Sequence, residues 1–149
     1  MPETIPIAAD HAGYALKQRL VQELETLGFK PLDLGTYSAE STDYPEFAHQ
    51  VAERVARSEN TRGILLCGTG LGMSYAANRW HGVRAAVAWS PEIARLSREH
   101  GDANILVLPA RFLNEDQSVV ILREWLATPF VGGRHARRIA QIEEAGSNA

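Results

Sequence analysis

ILLCGTGLGM, residues 64–73, joins an apolar run to the only cysteine of the chain and to three alternating glycines. Gly63 to Cys67 has the length and apolar composition of a buried strand, and the glycine turn leads into a predicted helix from Met73 to Asn78. Such a turn places backbone N–H groups at the start of a helix, where they can hold a phosphate or a transient oxyanion. A strand, a glycine turn and a helix in this order are typical of a parallel α/β fold.

Short apolar runs and helical patterns alternate on both sides of this unit. The other predicted strands are Ile5–Ala9, Pro31–Leu34, Val83–Ala88 and Asn104–Leu108. One predicted helix has Leu16, Leu20, Leu24 and Leu27 on one face and stops at Gly28, and the next has Phe47, Val51 and Val55. A polar loop, residues 35–44, separates the second strand from that helix.

The second half of the chain repeats the pattern. Ser90 is a predicted N-cap before Pro91, and that helix runs to about His100. A further helix opens at Asn114 or Glu115, has Val119, Leu122 and Leu126 on one face and ends at Pro129, and the last helix begins at about Arg134.

This alternation predicts an α/β fold: one three-layer Rossmann-like domain over residues 1–149, with a five-stranded parallel sheet and helices on both faces. Ligands of such folds bind beyond the carboxyl ends of the strands, where the strand order reverses. The polar or reactive residues expected at that rim are Asp10, His11, Tyr44, Cys67 to Gly72, Trp89 and Ser90.

Composition excludes several classes of function. A formal net charge of −3 and a pI near 5.9 provide no basic field, so we expect no nucleic-acid partner. A single cysteine allows no intrachain disulfide, and the first residues lack the pattern of a signal peptide. Charges interrupt every long apolar run, so no membrane association is expected and the predicted location is cytoplasmic.

The glycine turn does not match the common nucleotide motifs. Its spacing is G-x-G-x-G after the third strand, whereas a dinucleotide loop is G-x-G-x-x-G after an early strand with an acidic residue about 20 positions on. No Gly-Lys-Ser or Gly-Lys-Thr follows, which excludes the Walker pattern. An anion-binding nest remains, with a purely structural turn as the alternative.

Cys67 is either a small buried hydrophobe or a reactive thiol. Its place at a strand end, before a helix N-terminus, favours the second interpretation and predicts a lowered thiol pKa. Asp10, His11 and His100 lack the spacing of zinc ligands, so we expect no metal.

Two arginines lie near the end of the chain. Arg134 and Arg138 are four residues apart, so on a helix they share one face and could grip a phosphate together. The alternative is a solvated basic helix end.

Five segments together resemble the ribose-5-phosphate isomerase B family, the RpiB/LacAB sugar-phosphate isomerases. They are ADHAGYALK (9–17), DLGTYSAESTDYP (33–45), ILLCGTGLGMSYAANR (64–79), LSREHGDAN (96–104) and GGRHARRI (132–139). The resemblance covers essentially the whole chain in the same order.

The resemblance implies an aldose–ketose isomerase, without metal or cofactor, that interconverts ribose 5-phosphate and ribulose 5-phosphate through a cis-enediolate. Cys67 is similar to the family's base, Thr69 to a residue that handles hydroxyl protons, and His100 to the residue that opens the sugar ring. The family's other roles match the backbone of Gly68, Thr69, Gly70, Leu71 and Gly72 for the enediolate oxygens, Asp10, His11 and Tyr44 for the sugar, and Arg111, Arg134 and Arg138 for the phosphate. Family members are homodimers or dimers of dimers with active sites shared between subunits.

One position departs from the family pattern: Gly101 stands where an asparagine usually follows the ring-opening histidine. Relatives that lack the cysteine use a glutamate further along the loop as the base; here Cys67 is present and Met73 offers no carboxylate, so the cysteine is the expected base. Two alternatives therefore stay open. One is an isomerase of another phosphorylated sugar, of the allose or galactose 6-phosphate type, and the other is a non-catalytic sensor of sugar phosphates or nucleotides.

Overall fold

The structure, a computed structural model, describes residues 1–147. Its strands are β1 Thr4–Ala9, β2 Lys30–Asp33, β3 Gly63–Cys67, β4 Ala85–Val87 and β5 Ile105–Pro109. Its helices are α1 Tyr14–Thr26, α2 Tyr44–Ala56, α3 Leu71–Ala77, α4 Pro91–Glu99, α5 Glu115–Ala127 and α6 Arg134–Ser147, with a short 3-10 turn at Ala110–Phe112. All predicted strands and helices are present with small differences at their ends, and the 3-10 turn is an addition.

The five strands form one parallel sheet in the order β2-β1-β3-β5-β4, which confirms the predicted fold class. Ile7 of β1 pairs with Asp33 on one side and with Ile64 of β3 on the other. The strand order therefore reverses between β1 and β3. A crevice opens between the carboxyl ends of two such strands, and Asp10 and Cys67 stand at these ends.

Residues of β3 alternate between two buried cores. Ile64 and Leu66 pack in a cluster with residues of α1, α4 and α5, whereas Leu65 and Cys67 pack with residues of α2 and α3. All five residues of β3 are buried, as expected for a central strand covered on both faces. The Cys67 side chain thus lies on the α2 and α3 side, at the crevice end of the sheet.

Two helix starts carry side-chain caps, of which the one at Ser90 was predicted. The Ser90 hydroxyl accepts the N–H of Ile93 over 3.2 Å at the start of α4. Asn114 and Gln117 form a reciprocal capping box at the start of α5. Because α4 begins beyond β4 and leads back to the start of β5, its last turn lies at the amino edge of the sheet. Within residues 1–147 no helix combines the length and apolar character needed to cross a membrane.

Candidate active site

A cleft of about 350 Å³ opens at the carboxyl edge of the sheet. It is lined by Asp10, His11, Ala12, Tyr44, Cys67, Gly68, Thr69, Gly72, Tyr75 and Arg111. Residues from four separate stretches of the chain, distant in sequence, therefore meet in this cleft, which lies where the strand order reverses.

The glycine turn folds around the Cys67 sulfur. Gly70 has a φ of 78°, a left-handed conformation that favours glycine, and its N–H donates to Cys67 Sγ over 3.1 Å. The next N–H, from Leu71, donates to the Thr69 hydroxyl oxygen over 3.2 Å. The N–H groups of Gly70 and Leu71, two donors of the predicted anion-binding nest, are thus bonded to side chains of the turn itself.

A second glycine allows a close approach to Tyr44. A Cβ on Gly72 would overlap the Tyr44 ring and lie 2.8 Å from its hydroxyl oxygen. Tyr44 is the first residue of α2, so the absence of a side chain at Gly72 lets α2 and α3 converge on the cleft.

Arg111 lies over the start of the turn. The backbone N–H of Arg111 donates to the Gly68 carbonyl over 3.0 Å. The Nη1 atom of its side chain would be 3.0 Å from a Cβ on Gly68. The 3-10 turn after β5 thus brings a guanidinium group to the same cleft as the thiol. A guanidinium group offers several N–H donors to a phosphate.

The pKa of the Cys67 thiol is raised, so the predicted lowering is wrong. Burial is the largest cause, since the side chain is only 5% exposed, and the Asp10 carboxylate adds to it. The N–H groups of Met73, Gly70 and Thr69 act in the opposite direction, because they favour the thiolate. The predicted lowering rested on such donors at a helix start and left out the free energy needed to remove a charged thiolate from water.

Asp10 and His11 are held by backbone contacts. One carboxylate oxygen of Asp10 accepts the N–H groups of Ala12 and Gly13, over 3.0 and 3.2 Å. His11 and Thr42 are paired reciprocally: the His11 N–H donates to the Thr42 hydroxyl over 3.1 Å, and His11 Nδ1 accepts the Thr42 N–H over 3.2 Å. Nδ1 is an acceptor, so the neutral ring has its proton on Nε2.

His100 lies away from this cleft. It follows the last turn of α4, at the amino edge of the sheet, whereas Cys67 ends β3 at the carboxyl edge. A strand of this length separates the two edges by about 15 Å. Within one chain the structure therefore does not bring His100 to the thiol, and none of His100, Arg134 and Arg138 lines the cleft.

His100 belongs to a separate basic cluster at the start of α6. Its ring stacks on His135, with 4.3 Å between the centroids and 11° between the planes. Loss of solvent contact lowers the pKa of His135, and electrostatic repulsion from the neighbouring basic groups of His100, Arg134 and Arg138 lowers it further. Anions are the ligands that such a cluster attracts. Over the described part of the chain, no group of three or more His, Cys, Asp or Glu side chains is arranged to hold a metal ion.

Comparison with known proteins assigns the architecture to one family. The model of the Ribose/Galactose Isomerase family matches residues 5–142. The chain belongs to this family. Ribose-5-phosphate isomerase B of Escherichia coli K12 is 44% identical over 138 residues, which cover 93% of each chain.

Two solved structures of family members show the same fold. Ribose-5-phosphate isomerase B of Clostridium thermocellum superposes with a TM-score of 0.95 at 47% identity, over 97% of this chain and 98% of that one. The Mycoplasma genitalium enzyme, solved with bound ribulose-5-phosphate, has a TM-score of 0.95 at 40% identity, over 100% of this chain and 99% of that one.

The cleft contains part of the residue set that family resemblance implies. Asp10, His11, Tyr44, Cys67 and Arg111 line it together with Gly68, Thr69 and Gly72. Trp89 and Ser90 were expected at the same rim and do not line the cleft, because β4 is the edge strand on the far side of β5.

Sequence reasoning missed two residues of the cleft and one that supports it. Ala12 and Tyr75 line it, and Thr42 fixes His11 from outside. The signal for Tyr75 was its helical spacing from Leu71, four residues before it on α3. The pairing of Thr42 with His11 joins two distant loops, and no local pattern indicates it.

Proposed function

We propose that this family member interconverts D-ribose 5-phosphate and D-ribulose 5-phosphate by proton transfer, with Cys67 as the base. The observation that carries the proposal is the Cys67 sulfur, which is held by the Gly70 N–H at a cleft that also contains the Arg111 guanidinium. The names of the relatives support the substrate, since the Escherichia coli protein is a ribose-5-phosphate isomerase B.

In the proposed reaction the Cys67 thiolate removes the proton from C2 of the open-chain aldose. The electron pair of that C–H bond forms the C1–C2 double bond, and the former carbonyl oxygen becomes an oxyanion. The cysteine then returns the proton to C1, a proton moves between the two hydroxyl oxygens, and the ketose results. Thr69 is the proposed mediator of that second transfer, because it lines the same cleft as Cys67 and carries a hydroxyl group.

The glycine turn has two tasks in this scheme. Its N–H groups stabilise the thiolate, which burial alone would disfavour. Gly68 and Gly72 also line the cleft, and their N–H groups are the proposed donors to the developing negative charge on the enediolate oxygens, a contribution of about 3–4 kcal/mol per donor in comparable sites. The same turn thus serves both the base and its product.

Ring opening needs a second acid–base group, and His100 is the proposed one. Because His100 lies at the opposite edge of its own sheet, we propose that a second copy of the chain supplies it. Arg134 and Arg138 of that copy would join Arg111 at the phosphate. The assembly is then a homodimer, or a dimer of dimers, with shared sites.

Exposed apolar side chains support such an assembly. Four of them follow the carboxyl ends of β3, β4 and β5: Leu71, Tyr75, Trp89 and Phe112, exposed by 49, 64, 60 and 72%. An apolar rim of this kind is typical of a surface that a partner covers.

Isomerisation is tested by following conversion of ribose 5-phosphate, allose 6-phosphate and galactose 6-phosphate by wild type and Cys67→Ala. We expect conversion of the five-carbon sugar with the highest kcat/KM, and its loss in the variant. Preference for a six-carbon sugar would overturn the substrate assignment. Binding of sugar phosphate without conversion would indicate the sensor instead.

A further inference from the structure

Arg84, in the loop before β4, holds the backbone that follows His100. Its Nε lies 3.1 Å from the carbonyl oxygens of both Gly101 and Asp102, and its Nη2 donates to the Asp102 carbonyl over 3.0 Å. The side chain is only 19% exposed. The guanidinium group thus holds the carbonyl groups of the two residues that follow His100, the proposed ring-opening residue.

The other side of Arg84 reaches the distal half of α6. Its Nη1 donates to one carboxylate oxygen of Glu143 over 2.7 Å. The second carboxylate oxygen of Glu143 accepts the Gly82 N–H over 2.9 Å and lies 3.6 Å from His81 Nδ1. Glu143 therefore fastens α6 to the loop before β4.

The proximal end of α6 is fastened to the same region. His135 stacks on His100, and just before the helix the Val131 N–H donates to the Glu99 carbonyl over 3.1 Å. Between residues 134 and 145 no α6 side chain is fully buried. The position of this helix therefore depends on these contacts more than on a packed core.

We propose that Arg84 is a positioning residue: through Gly101 and Asp102 it sets the backbone of His100, and through Glu143 it sets the orientation of α6. This inference rests on the proposed function, since it assigns the purpose of the contact to ring opening and phosphate binding. Lysine can keep a single bond to Glu143 and lacks the planar fork that spans two carbonyls. Arg84→Lys therefore tests the hold on the loop, whereas Glu143→Gln tests the hold on α6.

Two measurements separate positioning from a general loss of structure. Isomerisation of ribose 5-phosphate requires ring opening. Deuterium exchange at C1 of ribulose 5-phosphate, an acyclic ketose, requires only the C–H step. For Arg84→Lys we expect kcat for isomerisation to fall about 10- to 100-fold while exchange at C1 persists. For Glu143→Gln we expect a higher KM for ribose 5-phosphate, because Arg134 and Arg138 lose their orientation.

The matched control is Arg57→Lys, since Arg57 forms an exposed ion pair with Glu53, 2.8 Å long, on α2. If Arg84→Lys does not fold, Arg84→Gln replaces it as the test of the loop, because its amide N–H can still donate to one carbonyl, and Glu143→Gln tests the hold on α6 with the carbonyl contacts intact. Variants that match the control would overturn the inference, and so would an equal loss of isomerisation and exchange in Arg84→Lys. A wild-type protein without isomerisation or exchange would instead refute the proposed function.

Discussion

The N–H of Gly70 donates to the sulfur of Cys67 over 3.1 Å, within a turn that the left-handed φ of Gly70 makes possible. Donors of this kind favour a thiolate, while burial and the Asp10 charge favour the thiol, and the net effect is a raised pKa. In the free chain the thiol is therefore favoured over the thiolate, and the N–H groups of the turn offset only part of the cost of forming the thiolate.

This balance predicts that the rate of isomerisation rises towards alkaline pH. The proposed base is the Cys67 thiolate, and a raised pKa moves its formation to higher pH, so kcat/KM should increase with pH up to the thiol pKa. Asp10→Asn keeps an acceptor for the N–H groups of Ala12 and Gly13 and removes the negative charge. The rising limb of the plot of kcat/KM against pH should therefore shift to lower pH. A limb at unchanged pH would show that the limb does not report the titration of Cys67.

Gly72 is predicted to tolerate no side chain. The Cβ of Gly72→Ala would overlap the Tyr44 ring, which must then move out of the cleft. We expect a loss of about 1–3 kcal/mol in the free energy of unfolding and a higher KM for the sugar phosphate. Adding Tyr44→Ala to this variant should recover part of the stability but not the KM. Strictly additive losses in urea denaturation would contradict the steric explanation.

A buried ion pair holds the start of the loop that leads to Thr42. Lys17 is fully buried, and its Nζ lies 2.7 Å from both carboxylate oxygens of Asp33, whose side chain is 30% exposed. Asp33→Asn would leave a buried, uncompensated ammonium, at a cost of about 3–5 kcal/mol. Lys17→Met should cost less, because the remaining carboxylate reaches water. Urea denaturation of both variants checks the order, and the reverse order would contradict it.

The proposal that each active site is shared between two subunits makes a specific prediction for mixtures of two variants. Cys67→Ala and His100→Asn should each abolish isomerisation. After joint unfolding and refolding, a heterodimer regains one complete site if Cys67 and His100 come from different chains. The mixture should then recover about one quarter of the wild-type activity. Recovery of none would place both residues in one chain's site.

Much of the fold could be predicted because its signals are local. The alternating apolar runs, the Ser90 cap and the start of α5 at Asn114 or Glu115 each depend on residues a few positions apart, and each is present. The pKa of Cys67 was predicted in the wrong direction, because it depends on burial by α2 and α3 and on the distant Asp10. Strand order also depends on contacts between distant parts of the chain, since no local pattern indicates that β4 lies at the edge beyond β5.

Some residues of the candidate site could likewise be predicted from the sequence, and others could not. The turn from Cys67 to Gly72 and the loop at Asp10 were expected at one rim from the rule for parallel sheets, and they meet there. The position of His100 follows from the direction of α4, which returns the chain to the opposite edge. Its proposed contribution to a neighbouring subunit is a property of the assembly rather than of one chain.

The central claim is that Cys67 moves the proton between C1 and C2. Its most direct test is deuterium incorporation from D₂O at C1 of ribulose 5-phosphate, compared among wild type, Cys67→Ala and His100→Asn. We predict exchange in wild type and in His100→Asn, because an acyclic ketose needs no ring opening, and no exchange in Cys67→Ala. Exchange at the wild-type rate in Cys67→Ala would contradict the claim.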